Sequence, residues 1–213
     1  MPQINLFNAE QDKRPTHIAP NTPTDIGNGQ IIYFPAFYSR IDSDRYFHEL
    51  RTQVEWAQEA MVIYGRKVNF PRLTAWYGDT DRPYSFSGIT LQPKGWLPAL
   101  IEIRKKLEST AATFFNSVLL NLYRDGNDSI SWHTDAEPEL GINPIIGSVN
   151  FGQPRLFQLR HRETKEKVEI ELAHGSALIM QGELQHFWQH QVPKTTKRMK
   201  ERINLTFRCI KTP

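Results

Sequence analysis

The chain has 213 residues, of which 39% are hydrophobic, 11% aromatic and 23% charged, with a mean hydropathy of −0.53. These values describe a globular protein long enough to bury a sizeable core; they exclude disordered and collagen-like classes, and no apolar run approaches the ~20 residues a membrane span needs. One cysteine, Cys209, excludes an internal disulfide and any cysteine-rich metal site, while a formal net charge of +3 tolerates a polyanionic partner without demanding one.

Met1 to Asp25 lacks the apolar segment of a signal peptide, so the expected location is the cytoplasm, nucleoid-associated in a bacterium or nuclear in a eukaryote. Pro15, Pro20 and Pro23 stand among polar residues with no sustained period, which predicts an irregular arm over residues 1–29 and a single domain over residues 30–213. Gln30 to Phe34 reads as a short strand. Tyr46, Phe47, Leu50 and Val54 then fall at helical spacing and predict a helix over Asp42 to Gln58, capped by Asp42 or Ser43. Leu100, Ile103 and Leu107 share a face of a second helix over Pro98 to Thr110, opened by a proline that a first turn tolerates. Both helices are expected to pack on a sheet.

Beyond Phe114 the period changes to two. The runs SVLLNLY, PIIGSVNF, RLFQLR, VEIEL, SALIM, FWQHQV and RINLTFR are separated by turn signals such as Asp125-Gly126 and Gln181-Gly182. They predict a mainly β fold with flanking helices, a sandwich or jelly roll, whose core lies in residues 116–213. The charge run Arg160 to Lys167 reads as a solvated hairpin tip.

The last run is chemically the most informative. Alternation puts Arg202, Asn204, Thr206 and Arg208 on one face and Ile203, Leu205 and Phe207 on the other. If the apolar face packs inward, the polar face is solvent; if the polar face lines a barrel interior, two buried arginines require an anionic ligand. Asn121 and Tyr123 form a similar pair two residues apart. His133 and Asp135 are also two apart, and His186 and His190 follow at a later strand. Two imidazoles and one carboxylate suit iron(II) in a facial triad with open positions, or catalytic zinc, and spacing alone does not separate these.

From about Ile63 to Arg208 the chain resembles the AlkB family of Fe(II)- and 2-oxoglutarate-dependent dioxygenases. The resemblance is carried by PRLTAWYGD (Pro71 to Asp79), YSFSG (Tyr84 to Gly88), NLYRDGNDSISWHTD (Asn121 to Asp135), WQHQVPK (Trp188 to Lys194) and RINLTFR. It implies a double-stranded β-helix with His133, Asp135 and His190 as iron ligands, His190 preferred to His186 because Val192-Pro193 follow it. It implies a 2-oxoglutarate site of Asn121, Tyr123, Arg202, Asn204 and Arg208. The implied reaction consumes dioxygen, releases succinate and carbon dioxide, and hydroxylates a methyl group on a base nitrogen, which leaves as formaldehyde.

The implied partner is DNA, single-stranded or duplex, or alternatively RNA or a protein, with the enzyme acting as a monomer. A target base must leave the stack. Residues 30–115 then hold a nucleotide-recognition lid, with Tyr84 and Phe86 as an aromatic wall for the base, Glu137 close to it and Arg72 in the lid or on the surface. Ala136 stands where some relatives carry a second carboxylate. Tyr64, beside a glycine turn, is either a finger that fills the gap left by the base or a tyrosine packed in a hairpin. Lys194, Lys197, Arg198 and Lys200 precede the last strand as candidate phosphate contacts.

Overall fold

The structure, a computed structural model, describes residues 18–63, 65–79, 84–86, 89–91 and 93–211, with the backbone alone at residues 63, 84–86 and 89–91. In chain order the elements are β1 (Pro23–Asp25), β2 (Gln30–Phe34), α1 (Arg40–Gln53), β3 (Ala60–Ile63), β4 (Arg66–Asn69), β5 (Leu73–Gly78), β6 (Tyr84–Phe86), β7 (Ile89–Leu91) and α2 (Pro98–Ala111). They continue with β8 (Ser117–Tyr123), β9 (Ile130–His133), β10 (Ile146–Gly152), β11 (Arg155–His161), β12 (Lys167–Leu172), β13 (Ser176–Gln181), α3 (Leu184–Phe187), β14 (Trp188–Val192) and β15 (Arg202–Arg208).

A seven-stranded antiparallel sheet, ordered β1-β2-β13-β10-β15-β8-β5, faces a four-stranded sheet, β12-β11-β14-β9. Alternation explains how the large sheet is covered. Val118, Leu120 and Leu122 of β8, with Ile203, Leu205 and Phe207 of β15, pack against Tyr46 and Leu50 of α1 and Leu100, Ile103 and Leu107 of α2. The other face of the large sheet meets the small sheet, where Leu119 of β8, Ile146 of β10 and Leu178 and Met180 of β13 meet Phe157, Leu159 and Val192. Each fully buried aliphatic side chain contributes roughly 1.5–3 kcal/mol, so the helix-side layer is a main source of stability. A sheet buried on both faces has no solvent side, so the solvent-facing reading of the last strand's polar face fails and the barrel-interior reading holds. Its apolar face packs on helices and its polar face lines the interior between the sheets.

Three sequence expectations are corrected. The first helix starts earlier and ends sooner, because the Ser39 hydroxyl, not Asp42 or Ser43, accepts the Asp42 N–H at 3.1 Å and because Ala57 exchanges two backbone hydrogen bonds of 2.9 Å with Thr74. That bridge needs extended backbone and ends the helix at Gln53. The irregular arm does not reach residue 29: β1 pairs with β2, and Ile18 and Ile26 are buried in the core between the sheets, so residues 18–29 belong to the fold. The jelly roll also draws β1, β2 and β5 from outside residues 116–213, since β5 pairs along the whole of β8. Residues 1–17 lie outside the described residues.

The segment of residues 193–200, which carries the four basic side chains, is seated on the turn after β8. Thr195 donates its N–H to the Gly126 carbonyl at 2.9 Å, and a Cβ on Gly126 would stand 2.5 Å from the Thr195 carbonyl oxygen and 2.9 Å from that of Lys197. Gly126→Ala is therefore expected to lower stability by about 1–3 kcal/mol and to speed proteolysis after Lys194 and Lys197. Urea denaturation and limited trypsin digestion check this; an unchanged midpoint with unchanged cleavage would show that the segment is not held on the turn.

Candidate active site

β9 and β14 are neighbours, and their register sets His133 directly opposite His190 with ring centroids 4.2 Å apart. Asp135 follows β9 in a loop and turns inward, its N–H held by the Gln185 side-chain oxygen at 2.8 Å. Donor atoms of His133, Asp135 and His190 lie within 4.8 Å of one another. His186 is exposed on α3, while His161 is buried against the Phe187 and Trp188 rings, so the later ligand candidate resolves to His190.

The three side chains have the protonation that a cation wants. Burial, with His133 alongside, pushes the His190 imidazolium down to about 3, and burial also lowers His133 against the opposing pull of Asp135. Burial alone would raise the Asp135 carboxyl, but the Arg208 guanidinium, helped by the two histidines, holds it below the usual carboxylate range. Arg208 Nη2 donates to Asp135 Oδ1 at 2.5 Å. The His133 ring nitrogen Nδ1 lies 2.8 Å from the Ser131 carbonyl; as an N–H donor there, it leaves Nε2 as the lone-pair nitrogen. Asp135 Oδ2 and His190 Nδ1 are buried with no hydrogen-bond partner. With His190 Nε2 turned toward Asp135 Oδ2 at 3.8 Å, two neutral imidazoles and one carboxylate converge in an arrangement that fits iron(II).

A second cluster lies further along the interior. Arg202 is 1% exposed and donates to Asn150 Oδ1 at 2.6 Å, yet its Nε and Nη1 are buried without partners. Burial pushes its guanidinium down to about 10. It lies 4.9 Å over the Tyr123 ring, its direct neighbour in register. Asn204 donates to Ser148 at 2.9 Å and to Asn150 at 3.1 Å. Buried donors without acceptors cost free energy that an anionic ligand offsets, and the fork geometry suits a carboxylate. Asn121, Tyr123, Arg202, Asn204 and Arg208 thus line one interior cavity together with the triad.

Arg72 is neither a surface residue nor a free member of a lid. It is 4% exposed, donating from Nε to Asn121 Oδ1 at 2.7 Å and from Nη1 to the Ser129 carbonyl at 3.3 Å. It also lines a separate cleft of about 330 Å³ with Met61, Phe70, Trp132, His133 and Glu137. Tyr64 lies outside the described residues, and so do the side chains of Tyr84 and Phe86, whose backbone forms β6 paired with β7.

Sequence reasoning passed over Ser148, Asn150, Gln185 and Arg155. Ser148 and Asn150 alternate with Val149 and Phe151, the same signal as in the last strand. Arg155, 3% exposed, donates to the carbonyls of Asp125 and Asp128, both at 3.0 Å, and of Pro193 at 2.7 Å; nothing in its neighbours in sequence announces that clamp.

Iron titration of single alanine variants tests the cluster. His133→Ala, Asp135→Ala and His190→Ala are expected to lose stoichiometric iron(II) binding while His186→Ala retains it. Retention by His190→Ala with loss in His186→Ala would overturn the ligand choice.

A model of the 2OG-Fe(II) oxygenase superfamily matches residues 30–208. Alpha-ketoglutarate-dependent dioxygenase alkB homolog 3 of Bos taurus is 40% identical over 199 residues, covering 89% of this chain and 68% of that protein. The Homo sapiens protein of that name is 39% identical over 194 residues, covering 86% and 67%, so the chain spans about two thirds of the length of these relatives. DNA oxidative demethylase ALKBH2 of Homo sapiens is 38% identical over 188 residues, covering 83% and 72%. Among solved structures, OsALKBH1 superposes with a TM-score of 0.62 at 14% identity, over 90% of this chain and 99% of that one. A prolyl hydroxylase from Trichoplax adhaerens, in complex with a hypoxia inducible factor peptide, gives 0.57 at 14% identity over 85% and 84%; these two share the fold. Because the family match runs through every strand that carries the triad and the buried arginines, the chain belongs to the 2OG-Fe(II) oxygenase superfamily and, within it, to the AlkB family.

Proposed function

We propose that this protein is an oxidative demethylase of N-alkylated bases in DNA, of the 1-methyladenine and 3-methylcytosine type, working as a monomer and releasing formaldehyde and succinate. The observation that carries this reading is the place of His133, which walls both the polar interior cavity and the outer cleft. A metal held there meets a cosubstrate from one side and a second substrate from the other. As an AlkB-family member the protein uses iron(II), 2-oxoglutarate and dioxygen. The relatives named for DNA oxidative demethylation support DNA as the second substrate.

In this reading His133, Asp135 and His190 hold iron(II), which supplies oxidative decarboxylation of 2-oxoglutarate coupled to hydroxylation of a C–H bond. Arg202 and Tyr123 take the far carboxylate of the cosubstrate, with Asn121 and Asn204 setting its orientation. Arg208 keeps Asp135 ionised and fixed in rotation. The cleft receives a base turned out of the stack, since no ring nitrogen inside a helix can approach an atom within a barrel. Arg72 and Glu137 border that base, Tyr84 and Phe86 stack on it, and Tyr64 fills the gap it leaves. Lys194, Lys197, Arg198 and Lys200, all exposed, contact phosphates and position the strand without reading sequence.

Formaldehyde and succinate release is the test. The expected result is release of both with a single-stranded oligonucleotide carrying 3-methylcytosine and neither with the unmethylated strand; a response confined to methylated RNA or to a peptide would overturn DNA as the substrate. Arg202→Ala should raise the KM for 2-oxoglutarate about tenfold or more, because a charge-assisted hydrogen bond contributes roughly 1.5–3 kcal/mol. Lys194→Ala and Lys197→Ala should instead raise the KM for DNA and flatten its salt dependence. Initial-rate kinetics on each substrate separates these effects, and a change in the 2-oxoglutarate KM in the lysine variants would contradict the assignment.

A further inference from the structure

The chain has five tryptophans, and four of them belong to a core: Trp76 and Trp188 are buried between the sheets, and Trp56 and Trp96 pack against the helix-side core. Trp132 belongs to neither. It precedes His133 on β9, so alternation turns it away from the interior that His133 faces, and it is a half-buried wall residue of the outer cleft. One face of its ring is covered by Arg160, whose guanidinium carbon stands 4.4 Å from the ring centroid. Arg160 is itself fixed, donating to Gln189 Oε1 at 3.2 Å from the strand position facing it. Among the described residues the Trp132 indole N–H has no hydrogen-bond partner. A large flat ring at the rim of a cleft, braced from behind by a cation and outside every core, is built to take a second flat ring.

We infer that Trp132 is a stacking platform for the nucleobase next to the methylated one in single-stranded DNA, with Arg160 bracing the indole and meeting the adjoining phosphate. The inference rests on the demethylase reading and adds to it: the target base enters the cleft and its neighbour stays outside on the indole. The charges agree with this occupant, because Arg160 leads into a hairpin tip where Arg162, Lys165 and Lys167 outnumber Glu163 and Glu166, a net positive charge that suits a polyanion. Stacking on an aromatic face is indifferent to base identity, so Trp132 would add affinity without sequence preference.

The test is a cycle between protein and DNA. The iron(II) holoenzyme with 2-oxoglutarate, kept anaerobic so that no turnover occurs, is titrated with three oligonucleotides bearing 3-methylcytosine. One is intact, one is abasic on the 5′ side of the lesion and one is abasic on the 3′ side. Wild type should bind one of the abasic strands roughly five- to thirty-fold more weakly than the intact strand. Trp132→Ala should bind the intact strand as weakly as wild type binds that abasic strand, with no further loss when the base is removed. Trp132→Phe should keep an intermediate sensitivity and Trp132→Leu, which preserves bulk without a π-face, should lose it, so the outcome stands even where the alanine variant holds no iron. Equal sensitivity of wild type and Trp132→Leu to both abasic strands would overturn the inference, as would a wild type indifferent to both. Formaldehyde release from the intact strand on admitting air distinguishes that failure from failure of the demethylase reading, which would show no formaldehyde at all.

Discussion

The ion pair between Arg208 and Asp135 organises the interior. Its atoms are 2.5 Å apart, and both side chains are almost inaccessible to solvent. Two charges withdrawn from water are costly unless they meet each other and use their remaining hydrogen-bonding capacity. Arg208 occupies one oxygen of Asp135 and leaves the other buried with no hydrogen-bond partner, 3.8 Å from His190 Nε2. That arrangement fixes the carboxylate in position and in charge before any cation arrives. It also joins the last strand to the loop after β9, so the sheet that carries the buried arginines and the sheet that supplies the histidines share one electrostatic contact.

The charge inside the barrel would couple an anion and a cation bound within it. Arg202 and Arg208 outnumber Asp135, and a divalent cation at the triad adds to the excess. A dicarboxylate between Arg202 and a cation at the triad would relieve both ends at once, and each would then strengthen the binding of the other without any movement of the protein. The fold makes this possible because the apolar face of β15 rests on α1 and α2 through Ile203, Leu205 and Phe207. Hydrophobic burial on one face of the strand offsets the desolvation of arginines on the other.

Alternation in β15 and β8, the histidine and carboxylate spacing, and the two helices were legible in the sequence because each depends on a period within one element. What was not legible depends on contacts between distant segments. Ser39 capped α1 where Asp42 and Ser43 were equally plausible from composition, because the cap is chosen by which residue leaves the helical path. The end of that helix was set by a backbone bridge to Thr74, a partner 17 positions beyond Ala57. Ile18 and Ile26 entered the core from a segment whose prolines suggested an arm. Arg72 was ambiguous for the same reason: Pro71-Arg72 in isolation does not reveal that Asn121 and the Ser129 carbonyl wait for its guanidinium.

Arg72 and Arg155 are both buried cations that bind neutral acceptors across element boundaries. Arg72 touches Asn121, which lines the interior cavity, and itself lines the outer cleft. Arg155 joins the turn after β8 to the residue that opens the basic segment of residues 193–200. A guanidinium surrounded by carbonyls and an amide is held by geometry more than by charge, because its five donors fit several fixed acceptors at once and lysine would reach only some of them. The surfaces that would meet nucleic acid are therefore tied to the same strands, β8 and β11, that form the walls of the barrel. Loop positions that would otherwise fluctuate are set by the rigid sheets, and the separation between the basic segment of residues 193–200 and the His133, Asp135 and His190 cluster becomes a property of the fold.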